Sequence, residues 1–268
     1  GNPKTFAKNA FVISVNNDKD ELNLNLKKID LKINCSLHFF LKEFYKYIKK
    51  RKICNFNIWS EKCSEIKKNN IIPNLNSSNM PIDLYRFMHD LGNMAPKKSI
   101  LITDAGSNYY IGGQAWKFNK SQIEIASSSN AAMGLSLPLS IGAAVADKHN
   151  CILSVTGDGS IELNIQEFAT ITHYNLNIKT FVINNGGYVS MKKWQNNFFD
   201  GNILDNEDST GTGTMNFKKI SNAYNIRYLK IKKTSDIEKI IKKVVSDKHP
   251  YLIEVFTDPN QTIYGKEF

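Results

Sequence analysis

The stretch that decides the fold runs from Cys151 to Gly187 and reads CILSVTGDGSIELNIQEFATITHYNLNIKTFVINNGG. It contains two apolar runs, Cys151–Thr156 and Ile178–Ile183, separated by a segment of helical periodicity over Ile161–Tyr174. Apolar runs of this length that alternate with helices predict a parallel sheet with helices on both faces. Each run ends in a polar segment that contains glycine, and we expect both segments at one edge of the sheet.

The same alternation extends to both sides of this stretch and predicts one α/β domain over residues 81–268. Further strands are predicted at Ser99–Thr103, Ile123–Ile125, Arg227–Ile231 and Tyr251–Phe256. Further helices are predicted at Ile82–Leu91, Ala131–Ala146, Tyr188–Phe199, Phe217–Tyr224 and Ser235–Val245, with a loop over residues 201–214.

The first 60 residues predict the remnant of a second α/β domain. Phe11–Val15 and Leu31–Ile33 are short strand candidates, and a helical pattern begins after Ser36. Two short strands and one helix cannot enclose a core, so we expect apolar side chains to stay uncovered there. Residues 61–80 are polar and rich in lysine and asparagine, which predicts a linker.

Charge argues against nucleic acid as a partner. The chain has 35 lysines and arginines against 25 acidic residues, a net charge of +10. Residues 1–70 hold 15 of the basic and 7 of the acidic residues, so most of the excess lies in the first quarter. Only Arg51, Arg86 and Arg227 are arginine, the residue that base and phosphate recognition favours. We expect a solvated lysine surface instead.

Membrane insertion and disulfide scaffolding are not expected either. No apolar run reaches the ~18–20 residues that a bilayer-spanning helix needs. Cys35, Cys54, Cys63 and Cys151 show neither C-x-x-C pairing nor metal-ligand spacing. A reducing compartment, the cytoplasm, is therefore the expected location.

Two strand ends carry the residue types of a metal and diphosphate site. Asp158 and Asn185 follow neighbouring strands, and the Gly187 carbonyl could complete an all-oxygen set suited to Mg²⁺. Gly157 and Gly159 let the backbone approach a ligand, and the amides that open the next helix favour an anion. Taken separately, both segments are also ordinary turn sequences.

The spacing of these residues resembles the thiamin-diphosphate motif, in which GDG is followed by NN. Here Gly157-Asp158-Gly159 precedes Asn184-Asn185 with 24 residues between Gly159 and Asn184. Residues 80–260 are similar to the C-terminal half of acetolactate synthase large subunits. The segments that carry this likeness are Ala132–Leu135, Leu137-Pro138, Ile141–Ala143, Asn164–Glu167, Ala169-Thr170, Asn175-Leu176 and Trp194.

The resemblance implies a thiamin-diphosphate-binding fold and a role for each matching residue. Mg²⁺ would be held by Asp158, Asn185 and the carbonyl of Gly187, and the diphosphate by Gly159 and Ser160 with Ser107 and Asn108. Three further positions would meet the organic part of the cofactor or the second substrate: Met133 beneath the cofactor, Ala131 through its backbone, and Trp194 in the substrate pocket. Alternatives remain: Met133 as plain core, Trp194 as a half-buried surface aromatic, and Ser107 with Asn108 as a simple turn.

The family's catalytic glutamate belongs to a pyrimidine-binding domain that we do not find in this chain. The resemblance therefore implies either a fragment of a longer polypeptide or an enzyme divided between two chains, with a homo-oligomer whose site lies between subunits. No catalytic residue is assigned here, and FAD binding is undetermined. The segments Asp104–Gln114 and Tyr188–Met191 depart from the acetolactate synthase pattern.

The implied activity is decarboxylation of a small 2-oxo acid, such as pyruvate, with transfer of the acyl unit to an acceptor carbonyl. Thiamin diphosphate and Mg²⁺ are the implied cofactors. Two alternatives stay open. One is a thiamin-diphosphate-dependent decarboxylase or ligase of surface-sugar biosynthesis, and the other is a non-catalytic module that binds Mg²⁺ and diphosphate.

Overall fold

The structure is a computed structural model that describes residues 6–24, 28–51, 55–69, 81–127 and 130–263. The chain divides into two compact units. The smaller unit contains the described residues up to 69, and the larger contains those from 81 to 263. Both glycine-containing segments singled out in the sequence belong to the larger unit.

Two parallel strands, β1 (Ile13–Asn16) and β2 (Leu31–Asn34), form the centre of the smaller unit. The chain between them forms α1 (Lys19–Asn23), and α2 (Leu37–Lys49) follows β2. A parallel pair requires such a crossover, because a tight hairpin can join only antiparallel strands.

Apolar side chains of this unit remain in contact with solvent. Leu22 is the one buried side chain among its described residues. Large apolar side chains with about half or more of their surface exposed include Phe11, Ile13, Leu37, Phe39, Leu41 and Phe44. The assignment of residues 1–60 to the end of a preceding domain stays a prediction.

The segment predicted as a linker begins with a helix. Helix α3 (Asn57–Asn69) includes residues 61–69, and residues 70–80 lie outside the described part. Within this helix Lys62 pairs with Glu65 at 3.0 Å, three residues apart on one face. Lysine and glutamate are good helix formers, so a polar composition did not exclude a helix here.

The larger unit contains a six-stranded sheet in which every pairing is parallel. Its strands are β3 (Ser99–Thr103), β4 (Ile123–Ile125), β5 (Cys151–Gly157), β6 (Ile178–Asn184), β7 (Arg227–Ile231) and β8 (Tyr251–Phe256). Their order across the sheet is β4-β3-β5-β6-β8-β7. The predicted parallel sheet is confirmed, and the ends of β3, β5 and β6 are neighbours.

Helices cover both faces of this sheet, as predicted. The helices are α4 (Leu84–Met94), α5 (Ser107–Ala115), α6 (Ser136–Ala146), α7 (Asp158–Ile161), α8 (Glu167–His173), α9 (Val189–Phe198), α10 (Phe217–Ala223) and α11 (Thr234–Ser246). One core lies between the sheet and α4, α5 and α11, and the other between the sheet and α6, α8 and α10. Adjacent residues of a strand divide between them: Ile152 belongs to one core and Leu153 to the other.

The predicted helix over Ala131–Ala146 is too long at its start. Helix α6 begins at Ser136, and the preceding residues form a loop in which Ala131 has φ of 42° and Gly134 has φ of 78°. Those left-handed conformations are incompatible with a helix. Pro138 marked the boundary, because proline is tolerated only in the first turn.

The chain after β3 also differs from its prediction. No helix was predicted there, but residues Ser107–Ala115 form α5, and Ser107 and Asn108, one alternative for which was a simple turn, are its first residues. No helix within the described ranges combines the length and the apolar character that a bilayer crossing requires.

Lys179 is a fully buried charge near the start of β6. Its ammonium group donates to the Asp247 carbonyl at 2.7 Å and to the His249 carbonyl, and it lies 5.3 Å from the centre of the Tyr251 ring. Burial lowers the pKa of Lys179 to about 8.

The lowered pKa of Lys179 makes the stability of the fold depend on pH. The folded state disfavours the charged lysine, so its cost is present at neutral pH and disappears as pH rises from about 8 toward the unfolded value near 10.5. We expect the free energy of urea unfolding to rise between pH 8 and 9, by up to about 1.4 kcal/mol per pH unit from this group. Above pH 9 the raised pKa of the buried Cys151 thiol opposes the rise, because the folded state disfavours the thiolate.

Lys179→Met should abolish that rise, and Lys239→Met, on the exposed side of α11, is the matched control that should keep it. The same pH slope in Lys179→Met and in the unsubstituted protein would contradict the assignment.

Candidate functional site

A cavity of about 230 Å³ lies where β3, β5 and β6 end. It is lined by most of the residues that the sequence singled out: Ser107, Asn108, Ala131, Met133, Gly157, Asp158, Gly159, Ser160, Asn185 and Gly187. These residues come from segments up to 80 positions apart in the chain, Ser107 to Gly187. The parallel sheet brings them to one edge, as expected for ligand sites in open α/β sheets.

Asp158 fastens the segment after β6 to the end of β5. Its Oδ2 accepts hydrogen bonds from the amides of Asn185, Gly186 and Gly187 at 3.1, 3.0 and 3.0 Å. Its Oδ1 accepts one from the Gly159 amide at 2.8 Å. Burial raises the pKa of the Asp158 carboxyl, and these four N–H groups oppose the rise.

Asn185 contributes an oxygen that has no hydrogen-bond partner among the described residues. Its side-chain Oδ1 is buried and accepts no hydrogen bond. A buried acceptor left unpaired costs free energy, which a bound cation or a water molecule would recover. The Gly187 carbonyl accepts one bond, from the Val189 amide at 3.0 Å, and retains a second lone pair.

These oxygens fit a hard divalent cation. One carboxylate, one side-chain amide oxygen and one backbone carbonyl are ligands that Mg²⁺ accepts, and it keeps other positions for water and phosphate. The described residues contain no cluster of three or more His, Cys, Asp or Glu able to hold a metal. The set therefore fits an ion whose coordination is completed by its ligand, and does not fit an all-protein zinc centre.

Several predicted diphosphate contacts also hold the scaffold together. Asn108 Nδ2 donates to Asp104 Oδ1 at 3.1 Å and to the Val155 carbonyl at 2.9 Å, so both of its N–H groups are engaged. The Ser160 hydroxyl donates to Asp104 Oδ2 at 2.6 Å. Both residues line the cavity, but their side-chain donors point to protein acceptors. Direct diphosphate binding by these side chains stays a prediction.

Asp104 is a site residue that the sequence analysis missed. It follows β3 directly and is fully buried beneath the cavity. Besides Asn108 and Ser160, it accepts a hydrogen bond from the Thr156 hydroxyl at 2.8 Å. The signal was available, because a carboxylate directly after a buried strand is also what drew attention to Asp158.

Tyr188 is a second missed residue, and it explains why position 159 is glycine. The Tyr188 ring lies against the Gly159 backbone so closely that a Cβ there would be 2.2 Å from its Cε1. Burial raises the pKa of the Tyr188 hydroxyl, and the charges of Glu162 and Asp158 add to the rise. Burial and Asp158 likewise raise the pKa of Glu162.

Trp194 lies on α9 and is not among the described residues that line the cavity. It is 47% exposed and packs on Phe198 and Phe199, with ring centres 4.9 and 5.5 Å away. The first turn of the same helix reaches the cavity through Val189, Ser190 and Met191. The role of Trp194 in a substrate pocket stays a prediction.

Comparison with known proteins points to one family. Residues 104–255 match the family model described as "Thiamine pyrophosphate enzyme, C-terminal TPP binding domain". The acetolactate synthase large subunit of Cyanidium caldarium is 30% identical over 63% of this chain and 28% of its own length.

Two longer alignments agree with this result. The probable acetolactate synthase large subunit of Methanococcus aeolicus is 26% identical over 98% of this chain and 45% of its own length. The acetolactate synthase isozyme 1 large subunit of Escherichia coli is 24% identical over 98% of this chain and 46% of its own length. The chain spans less than half the length of these relatives.

The two glycines around Asp158 should respond differently to the same substitution. Gly159→Ala places a methyl group against Tyr188 and should lower the free energy of unfolding by about 1–3 kcal/mol. Gly157→Ala meets nothing nearer than the Ser160 Cβ at 3.8 Å, and the extended backbone there (φ −77°) accepts alanine. Its effect should stay within about 1 kcal/mol. Urea denaturation measures both.

Tyr188→Ala provides the internal control, because it removes the ring that opposes the methyl group. In that background Gly159→Ala should cost less than in the unsubstituted protein. Equal costs in the two backgrounds would show that the ring is not the reason for the glycine.

Proposed function

The chain belongs to the thiamine pyrophosphate enzyme family, and on that basis we propose that the cavity binds the diphosphate of thiamin diphosphate through one Mg²⁺. The observation that carries the proposal is the buried, unpartnered Oδ1 of Asn185. It lies in the segment whose backbone amides hold the Asp158 carboxylate. An oxygen left unpaired next to a fixed carboxylate is what a cation site requires before its ion binds.

In this proposal Asp158, Asn185 and the Gly187 carbonyl hold the metal ion. Gly157 and Gly159, with Ser107, Asn108 and Ser160, line the part of the cavity that receives the diphosphate. Ala131 and Met133 line it on the loop before α6, where they would meet the organic rings. Met133 is 38% exposed, which argues against its being plain core.

Charge supports a requirement for the metal. Among the described residues that line the cavity, Asp158 is the one charged side chain. A diphosphate entering without a cation would meet this carboxylate in a partly buried site, where repulsion is weakly screened. A bound divalent ion makes the local net charge positive, so the site attracts the diphosphate.

We propose the reaction of the acetolactate synthase type, in which a 2-oxo acid loses CO₂ and its acyl unit is transferred to an acceptor carbonyl. Bound thiamin diphosphate supplies the electron sink for this chemistry. The chain's own residues bind and orient it, and Ile183, Val189 and Met191 present apolar surface that excludes water. The departures at Asp104–Gln114 and Tyr188–Met191 leave the acceptor open, including a surface-sugar ligase or a simple decarboxylase.

Exposed apolar side chains at the cavity entrance support the proposal that another polypeptide segment completes the site. Met133 and Met191 line the cavity while 38% and 50% exposed. Apolar side chains beside a reactive cavity are expected to be covered in the working enzyme. We propose that the polypeptide segment that covers the cavity carries the catalytic glutamate and is part of a homo-oligomer. We also propose that the enzyme works in the cytoplasm. FAD binding is not assigned.

Calorimetric titration of the chain with thiamin diphosphate tests the site. Binding should require Mg²⁺, and Asn185→Ala should weaken it at least about tenfold because a metal ligand is lost. The same variant should unfold at an unchanged or slightly higher urea concentration, because the oxygen that it removes has no partner in the part of the chain that the structure describes. Asn222→Ala, exposed on α10, is the matched control and should bind normally. Binding that ignores Mg²⁺ would contradict the proposal.

Release of CO₂ from pyruvate by the complete natural polypeptide tests the reaction. The expected outcome is turnover that requires both Mg²⁺ and thiamin diphosphate, and identification of the product separates acetolactate, a branched sugar and a free aldehyde. Cofactor binding without CO₂ release from any 2-oxo acid would contradict the proposed reaction and favour the alternative of a non-catalytic module that binds Mg²⁺ and diphosphate.

A further inference from the structure

The buried Asp104 carboxylate joins three segments of the site. Oδ1 accepts from the Ala105 amide at 2.8 Å and from Asn108 Nδ2 at 3.1 Å. Oδ2 accepts from the hydroxyls of Thr156 and Ser160 at 2.8 and 2.6 Å. The start of α5, the end of β5 and α7 are therefore tied to this one side chain at the end of β3.

The Ala105 amide and Asn108 Nδ2 can only donate, and both meet Oδ1, whereas the Thr156 and Ser160 hydroxyls donate to Oδ2. An ionised carboxylate accepts at both oxygens. An asparagine with its NH₂ group in place of Oδ2 would make the hydroxyls accept and so reverse the hydrogen bond to Ser160. The partners are neutral groups, and hydrogen bonds to a charged acceptor are about twice as strong as those between neutral groups. The charge thus serves to orient its neighbours.

The Ser160 hydroxyl carries this orientation to a fourth segment. While donating to Asp104, it accepts a hydrogen bond from the Gly134 amide at 2.9 Å. Asn164 Nδ2 donates to the carbonyl of the same glycine at 2.9 Å. Gly134 follows Met133 directly and has φ of 78°, with no room for a Cβ beside Leu163.

We propose that Asp104 is a positioning residue that acts through Ser160 on the loop of residues 130–135. Because the Ser160 hydroxyl donates its proton to Asp104, a lone pair of the hydroxyl oxygen points to the Gly134 amide and accepts its hydrogen bond. This bond holds the loop in the conformation in which Ala131 and Met133 line the cavity. This inference rests on the proposed function, in which those two residues meet the organic rings. Asp104 itself is not among the described residues that line the cavity.

Two ligands that both contain a diphosphate should respond differently to substitutions at these positions. Thiamin diphosphate should depend on the 130–135 loop, whereas inorganic diphosphate, which has no rings, should not. Both are titrated with Mg²⁺ into the full chain. Ser160→Ala and Asp104→Asn should weaken thiamin diphosphate at least about tenfold more than they weaken inorganic diphosphate.

Thr156→Val is the matched control. It removes the other hydroxyl from the same Asp104 oxygen, but Thr156 makes no contact with Gly134 in the hydrogen bonds of the described chain. It should keep both affinities within about threefold. Equal losses for the two ligands in Ser160→Ala would mean a merely structural role and would overturn the proposal.

Hydrogen exchange of the Gly134 amide gives a readout without any ligand. Ser160→Ala should speed this exchange at least about tenfold, and Thr156→Val should leave it within about threefold. Unchanged exchange in Ser160→Ala overturns the proposal even if Asp104→Asn fails to fold. If neither the unsubstituted chain nor the complete natural polypeptide binds either ligand, the proposed function fails, and the exchange measurement alone decides whether Ser160 positions the loop.

Discussion

The site depends on how two buried carboxylates are satisfied at neighbouring strand ends. Asp158 takes amides from the segment after β6, and Asp104 takes hydroxyl and amide donors from β5, α5 and α7. An ionised group can stay buried only if such donors surround it. Each carboxylate therefore dictates the conformation of the loops around it, and the cavity is the space that these loops leave.

The sheet makes this arrangement possible. With helices on both faces, its strands are mostly apolar along their length, and the few polar residues within them, such as Ser154 and Thr180, are buried. Parallel strands end at a common edge, so polar residues from distant parts of the chain accumulate there. The opposite end of β6 buries Lys179 on backbone carbonyls. Far from the cavity, that lysine costs stability without taking part in the site.

The sequence predicted the strands of the sheet, because apolar periodicity is a local signal. It also predicted that Asp158 and Asn185 lie at one edge of the sheet, because polar strand ends are visible locally. It failed where tertiary contacts decide. The left-handed Ala131 and Gly134 turned a predicted helix into a loop, and only Pro138 hinted at the boundary. Tyr188 could not be identified as the partner of Gly159, because the two positions meet only after β6 pairs with β5. The sequence likewise did not predict that the Trp194 ring packs on Phe198.

The close approach of Tyr188 to Gly159 also constrains how this protein can change over evolutionary time. A lineage can replace the tyrosine first, because a smaller side chain leaves the glycine undisturbed. It cannot easily acquire a side chain at 159 while the ring is present, since the first step would be a clash. The two positions should therefore vary in a fixed order, and homologous chains with a bulkier residue at 159 should already have lost the aromatic ring at 188.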